Sequence, residues 1–163
     1  RMLAWNALGA SGFQQGRYDQ ALDCYRRLHE LAEAVGDDEY QGLARLNSSI
    51  VRNELGDYQS ALLLARQSLS FFRALPLRYR EAHALYEIGN TALQLGRWDQ
   101  AHAHLQPALS LYQQLEMQQG LAEIFWAEGL LQLVLGNREA SEQHYLRCIA
   151  IGRSEAHNDP AIV

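Results

Sequence analysis

The chain has 163 residues, 48% of them hydrophobic and 20% charged, which supplies one packed unit and excludes a disordered chain. A net charge of −5 argues against nucleic-acid binding, which needs a basic face. The 14 basic residues are all arginine and are scattered, and the tightest grouping, Arg73, Arg78 and Arg80, reads as a solvated connection rather than an anion site.

Apolar residues recur at three- and four-residue steps, which predicts helices rather than strands. In chain order these fall at 3–15, 18–35, 38–55, 58–75, 79–95, 98–115, 118–135 and 138–153. The first ends at Gln15-Gly16. The second carries Ala21, Leu22, Tyr25, Leu28, Leu31 and Ala32 along one face and stops before Gly36-Asp37-Asp38. The third starts among acidic residues, as a helix dipole favours, and ends at Leu55-Gly56, with Asp57 placed to cap its successor. The fourth, with Ala61, Leu62, Ala65, Leu69 and Phe72, breaks at Pro76. The fifth ends at Leu95-Gly96. The sixth holds Pro107 in its interior, which predicts a bend. The seventh follows a break near Met117 and ends at Leu135-Gly136, where Asn137 is a second candidate cap. Asn158-Asp159-Pro160 has the pattern of one more helix start, and the chain begins with Arg1; both predict a piece of a longer protein.

The helices come in pairs with a fixed period. Gly16, Gly56, Gly96 and Gly136 are spaced by 40 residues. Tyr18, Tyr58 and Trp98 follow two residues later, and Ala21, Ala61 and Ala101 three beyond those. Gly9, Ser49, Gly89 and Gly129 stand seven before the glycines. Each column has a physical reading. The turn glycines end a helix, the aromatic plugs a helix–helix corner, and the small residues let two helices approach. A glycine inside a helix costs about 1 kcal/mol against alanine, so its recurrence needs a packing reason.

Trp5-Asn6-Ala7-Leu8-Gly9 through Phe13, Gly16, Tyr18, Ala21, Tyr25 and Leu28 resembles the tetratricopeptide signature, as does Ile88-Gly89-Asn90 through Gly96, Trp98, Ala101, Leu105 and Ala108. The second repeat departs with Ser48 and Ser49, and the fourth with Glu128, Arg138 and Ser141. The period is longer than the usual ~34 residues, as in repeats of bacterial transcriptional regulators, peptide-sensing regulators and kinesin-light-chain-like adaptors. The resemblance implies an all-α fold, a right-handed α-α superhelix of four repeats at 1–37, 38–77, 78–117 and 118–157. It also implies a scaffold that binds a protein or peptide along a concave groove lined by the first helix of each repeat, or a homodimerisation module.

Carried over by register, the groove positions are Asn6, Leu46, Tyr86 and Trp126, then Ile50, Asn90 and Leu130, then Phe13, Asn53, Leu93 and Leu133. His83 and Glu123 lie near the entrance. The basic residues that grip an acidic tail in chaperone-binding members are missing from the two inner columns, which argues against that ligand. The apolar positions fit an apolar or amphipathic helix, and Asn53 and Asn90 suit bonds to a ligand backbone.

Nothing in the sequence converges on catalysis, a metal or a cofactor. His102 and His104 diverge by about 200° on a helix. His104 and His144 are repeat equivalents on adjacent second helices and read as solvent-facing. Cys24 and Cys148 form no CxxC pair, which excludes a zinc or redox motif and fits a reducing, cytoplasmic setting. The apolar runs 61–65 and 130–135 are too short to span a membrane.

Overall fold

The computed structural model describes residues 1–158, with side chains through residue 154. It contains α1 (Met2–Gln14), α2 (Tyr18–Val35), α3 (Asp38–Glu54), α4 (Tyr58–Ala74), α5 (Arg78–Gln94), α6 (Trp98–Gln114), α7 (Gln118–Val134) and α8 (Arg138–Asn158). No strand occurs among the described residues. Helix α8 runs past residue 153, where the apolar pattern ended it, and takes in Asn158. The remainder of the helix start expected at Asn158-Asp159-Pro160 lies outside the described residues. Helix α6 continues through Pro107.

Helix ends follow local chemistry. The carboxylate of Asp37 accepts from the Tyr40 amide at 3.0 Å and that of Asp57 from the Ser60 amide at 3.3 Å, capping α3 and α4. Asn137 instead donates its side-chain amide to Oε1 of Gln132 at 2.9 Å. Gly56 turns the chain at φ 75°, and its three equivalents share this left-handed backbone.

Each pair packs tightly, α1 on α2, α3 on α4, α5 on α6 and α7 on α8, and each pair stacks on the next. The stacking is asymmetric. First helices also meet one another, α1 with α3, α3 with α5 and α5 with α7, whereas successive second helices make no comparable contact. The array therefore curves with α1, α3, α5 and α7 inside and α2, α4, α6 and α8 splayed outside. This is the superhelical solenoid that the repeat implied.

The core runs between the layers. One cluster joins Leu46, Leu62, Phe72, Leu85, Ile88, Leu105, Tyr112, Ile124 and Leu131, and a smaller one joins Ala21, Tyr25, Leu28, Ala44 and Val51. The small residues of the register sit under large ones. A Cβ at position 89 would lie 2.7 Å from Cγ of Leu105, and one at position 129 would lie 2.7 Å from Cε1 of Tyr145. Ser141, which breaks the alanine column, is buried, and its hydroxyl donates to the Gly129 carbonyl at 2.8 Å. The departure is thus small and satisfied.

Candidate functional site

The inner face is built from the first helices, and its residues divide into three groups. Leu46 and Leu93 are core. They are 1% and 5% exposed, because α3 and α5 are each flanked by first helices on both sides. Their assignment to the groove is corrected accordingly. Phe13 is also spent internally, half-buried with its ring 5.8 Å from that of Tyr18 at the α1–α2 corner.

The second group is half-buried and polar or aromatic. Oδ1 of Asn6 accepts from the Asn47 side chain at 2.7 Å, tying α1 to α3. Ile50 is half-buried beside it in the register. Oδ1 atoms of Asn53 and Asn90 are buried without a hydrogen-bond partner among the described residues, a state that costs about 1–3 kcal/mol when left uncompensated. Tyr86 packs on the core, and its ring lies 6.5 Å from the His83 ring in a stacked arrangement.

The third group is open to solvent. Trp126 is 46% exposed and Leu133 is 49% exposed. Leu130 between them is half-buried, and Val134 beside them is exposed. Positions 126, 130, 133 and 134 fall at i, i+4, i+7 and i+8, so they form one stripe along α7. Exposed apolar surface of this kind marks an interaction site more often than a scattered single residue does.

An acidic patch borders this surface. Nε2 of His83 lies 3.5 Å from Oε1 of buried Glu87, and Glu123 on α7 belongs to the same charge cluster. Burial lowers the His83 pKa, but the bond to Glu87 and the charges of Glu87 and Glu123 outweigh both burial and Arg80, so the ring titrates above its ordinary value. Burial pushes Glu123 up; His83 and a hydrogen bond with Gln119 oppose this, while Glu87 adds to it. Tyr79, His83, Tyr112, Met117, Gly120 and Glu123 line a small recess of about 70 Å³ here. His83 and Glu123 were expected here from the sequence; Glu87 was not. Its signal was available, since position 87 corresponds to Ala7, Asn47 and Ala127, where only Glu87 is charged.

The remaining candidates do not assemble. Nδ1 of His104 lies 2.8 Å from the Gln100 carbonyl, while His144 is half-buried with its ring 6.1 Å from that of Phe125, so neither is the solvent-facing residue expected. Arg73 pairs with Glu81 at 3.2 Å, Arg80 with Glu39 at 2.9 Å, and Arg78 donates to Gln114 at 3.4 Å. Cys24 and Cys148 are free, half-buried thiols on α2 and α8. Among the described residues no group of three or more His, Cys, Asp or Glu is arranged to hold a metal, and no helix is long and apolar enough to cross a membrane.

Two family models, both described as tetratricopeptide repeat, match residues 1–74 and 82–116. Together they take in well over half the chain, and the protein belongs to the tetratricopeptide repeat family. No curated protein matches it in sequence. Among solved structures it is similar to BtubC (BKLC) from P. vanneervenii, with 18% identity and a TM-score of 0.80 over 98% of this chain and 66% of that one. It is also similar to a Rap protein complexed with competence and sporulation factor, with 22% identity and a TM-score of 0.83 over 95% of this chain and 43% of that one. MamA gives 14% identity and a TM-score of 0.53 over 99% and 97% of the two chains. At these identities the likeness is one of fold alone. The chain spans about two thirds of BtubC and less than half of the Rap protein.

Proposed function

We propose that the inner face holds a polypeptide segment, an apolar or amphipathic helix carrying a basic residue, and that the four helix pairs form the interaction or sensor region of a larger bacterial protein. The stripe of exposed Trp126, Leu133 and Val134 with half-buried Leu130 on α7 carries this reading. A helix laid along it would bury apolar surface worth about 25 cal/mol per Å², with Trp126 as the large anchor. Glu87 and Glu123 supply the complement to a basic side chain. Rotation of the Asn53 and Asn90 amides about their soft terminal torsion would turn unsatisfied oxygens toward ligand donors. The peptide complex of the Rap protein is consistent with this use of the fold.

A second reading, homodimerisation, draws on Leu146 and Ile149, which are exposed on α8. One experiment separates the two. A synthetic helix with leucine on one face and arginine on the other is titrated against the protein by fluorescence anisotropy, with light scattering in parallel. Groove binding requires saturable capture by a monomer, weakened at least about tenfold by Trp126→Ala and by Leu133→Asp. Unchanged capture by both variants refutes the groove. A dimer dissolved by Leu146→Asp and Ile149→Asp, with no peptide uptake, establishes the second reading.

A further inference from the structure

The outer face carries a cavity that the groove does not use. Because α2 and α4 splay apart over α3, a furrow opens between them, and in it lies a cavity of about 430 Å³ lined by Leu22, His29, Arg45, Ser48, Arg52 and Leu64. That volume is in the range of small-molecule sites, roughly 300–1,000 Å³.

The repeat register shows why it is open and polar. Position 45 corresponds to Trp5, Leu85 and Phe125, and position 29 to Leu69, Leu109 and Ile149. Every other repeat puts a large apolar residue at both places, and Leu85 and Phe125 are buried. In this furrow alone both columns turn polar, and the two replacements face each other. Nη1 of Arg45 lies 3.2 Å from Nδ1 of His29, and Nη2 lies 3.4 Å from Nε2. Arg52 stands in the column of Gly12, Ala92 and Gln132, adding a second guanidinium where the other repeats carry no charge.

The pairing leaves Arg45 under-satisfied. A neutral imidazole has one acceptor nitrogen, so it can take a hydrogen bond from only one of the two Nη groups that face it. Arg45 also donates to the Gln41 carbonyl at 3.2 Å and lies 5.0 Å from the centre of the Phe71 ring. Among the described residues no carboxylate comes within ion-pair distance of it. The other two cations are engaged at the rim, Arg26 with Glu30 and Asp23 and Arg52 with Asp57 at 3.4 Å.

We propose that this furrow binds a small organic oxyanion, a carboxylate or phosphate held by Arg45, Arg52, His29 and the Ser48 hydroxyl, with an apolar body against Leu22 and Leu64. The planar guanidinium of Arg45 suits two-point contact with such a group. The charge environment agrees. Burial lowers the pKa of Arg45, with Glu33 opposing, and burial and Arg45 lower that of His29, with Glu33 and Glu30 opposing. Arg26, Asp23 and Arg52 are the other charges lining the cavity, and α4 contributes only neutral Gln67 and Leu64. An anion would oppose the effect of Arg45 on His29, so binding takes up a proton and affinity rises as pH falls from about 8 toward 5.

Titration calorimetry with benzoate, phenyl phosphate and neutral phenol tests this. Benzoate or phenyl phosphate should bind saturably and phenol should not; which of the two binds tighter identifies the oxyanion. Arg45→Leu, which restores the column of Leu85, should weaken binding at least about tenfold while circular dichroism shows the helices intact. Arg45→Gln serves if Arg45→Leu misfolds. His29→Leu should retain weaker binding and lose the acid-side gain measured with benzoate. Equal behaviour of phenol and both oxyanions, or full binding by both Arg45 variants, overturns the proposal and leaves Arg45 as a core cation satisfied by His29, Gln41 and Phe71. The groove stands or falls independently, since the probes and substitutions are different.

Discussion

The ring of Tyr25 occupies the space that any side chain on Gly9 would need, because a Cβ there would lie 2.4 Å from Cε1 of the tyrosine. Gly120 meets Tyr112 at 2.5 Å in the same way, and Gly89 meets Leu105. These glycines exist for helix approach, not for backbone freedom. Gly89→Ala and Gly120→Ala should each destabilise the protein by about 1–3 kcal/mol through overpacking. Gly152→Ala on α8, where nothing lies within 4 Å, should instead stabilise by up to about 1 kcal/mol. Denaturant unfolding of the three variants checks the sign at each site, and a destabilised Gly152→Ala would break the explanation.

Among the described residues Glu116 is the non-glycine residue with positive φ, 55°, at the connection between α6 and α7. Gly36 fills the equivalent position between α2 and α3 at φ 68°. A side chain in this conformation costs about 1–2 kcal/mol. Glu116→Gly should raise stability by about 0.5–1 kcal/mol, since the added freedom of the unfolded chain offsets part of the relief. Thermal melting reads it, and a lower midpoint would show that Glu116 makes a compensating contact.

Glu128 is 1% exposed, stands in the column of Leu8, Ser48 and Ile88, and accepts from the Gln106 side chain at 2.8 Å, with Nδ1 of His102 at 3.6 Å. A buried ionisable group of this kind is weak evidence of stability. Glu128→Leu should be neutral or stabilising by about 1–2 kcal/mol, because the shape is kept and both partners remain near solvent. Glu128→Ala should cost about 2–4 kcal/mol through the space it leaves. The order of the two melting temperatures decides.

Burial, with the neighbouring Cys24 charge, pushes the Tyr25 phenol up to about 12. Burial and nearby carboxylates hold Tyr86 and Tyr112 higher still. A folded pKa above the unfolded value, about 10, gives stability that is fully present below that value and lost as pH rises through the folded one. Of the eight tyrosines, these three should ionise only together with loss of helicity. Phenolate absorbance and circular dichroism recorded on one alkaline titration would expose any of them that ionises in the folded state.

Register and helix ends were legible because they rest on local rules. Turn glycines, the Asp57 cap and three-and-four spacing each act within a few residues. Burial on the inner face was not legible, because it depends on neighbours. Leu46 and Trp126 share a repeat column, as do Leu93 and Leu133, yet the first of each pair is core and the second is exposed. Helices α3 and α5 have a first helix on either side, whereas α7 meets α5 on one side only among the described elements. Polar substitutions were the more informative departures. Arg45, His29 and Glu87 each break an otherwise uncharged column, and each sits in a cavity or charge cluster.

The acidic patch makes the groove sensitive to pH in a defined direction. The His83 ring titrates above its ordinary value because Glu87 and Glu123 outweigh burial and Arg80. Its contribution to stability is therefore full below the unfolded value, about 6.5, and disappears as pH rises through the folded one. Glu123, also raised, acts with the same sign. Loss of the His83 proton leaves Glu87 and Glu123 less neutralised, so the affinity for an arginine-bearing helix should increase over the interval in which stability declines. His83→Gln should flatten both curves between about pH 6 and 8. Peptide titrations and thermal melts of wild type and variant over that interval check the two trends together. Affinity that falls alongside stability would mean that the peptide does not meet this patch.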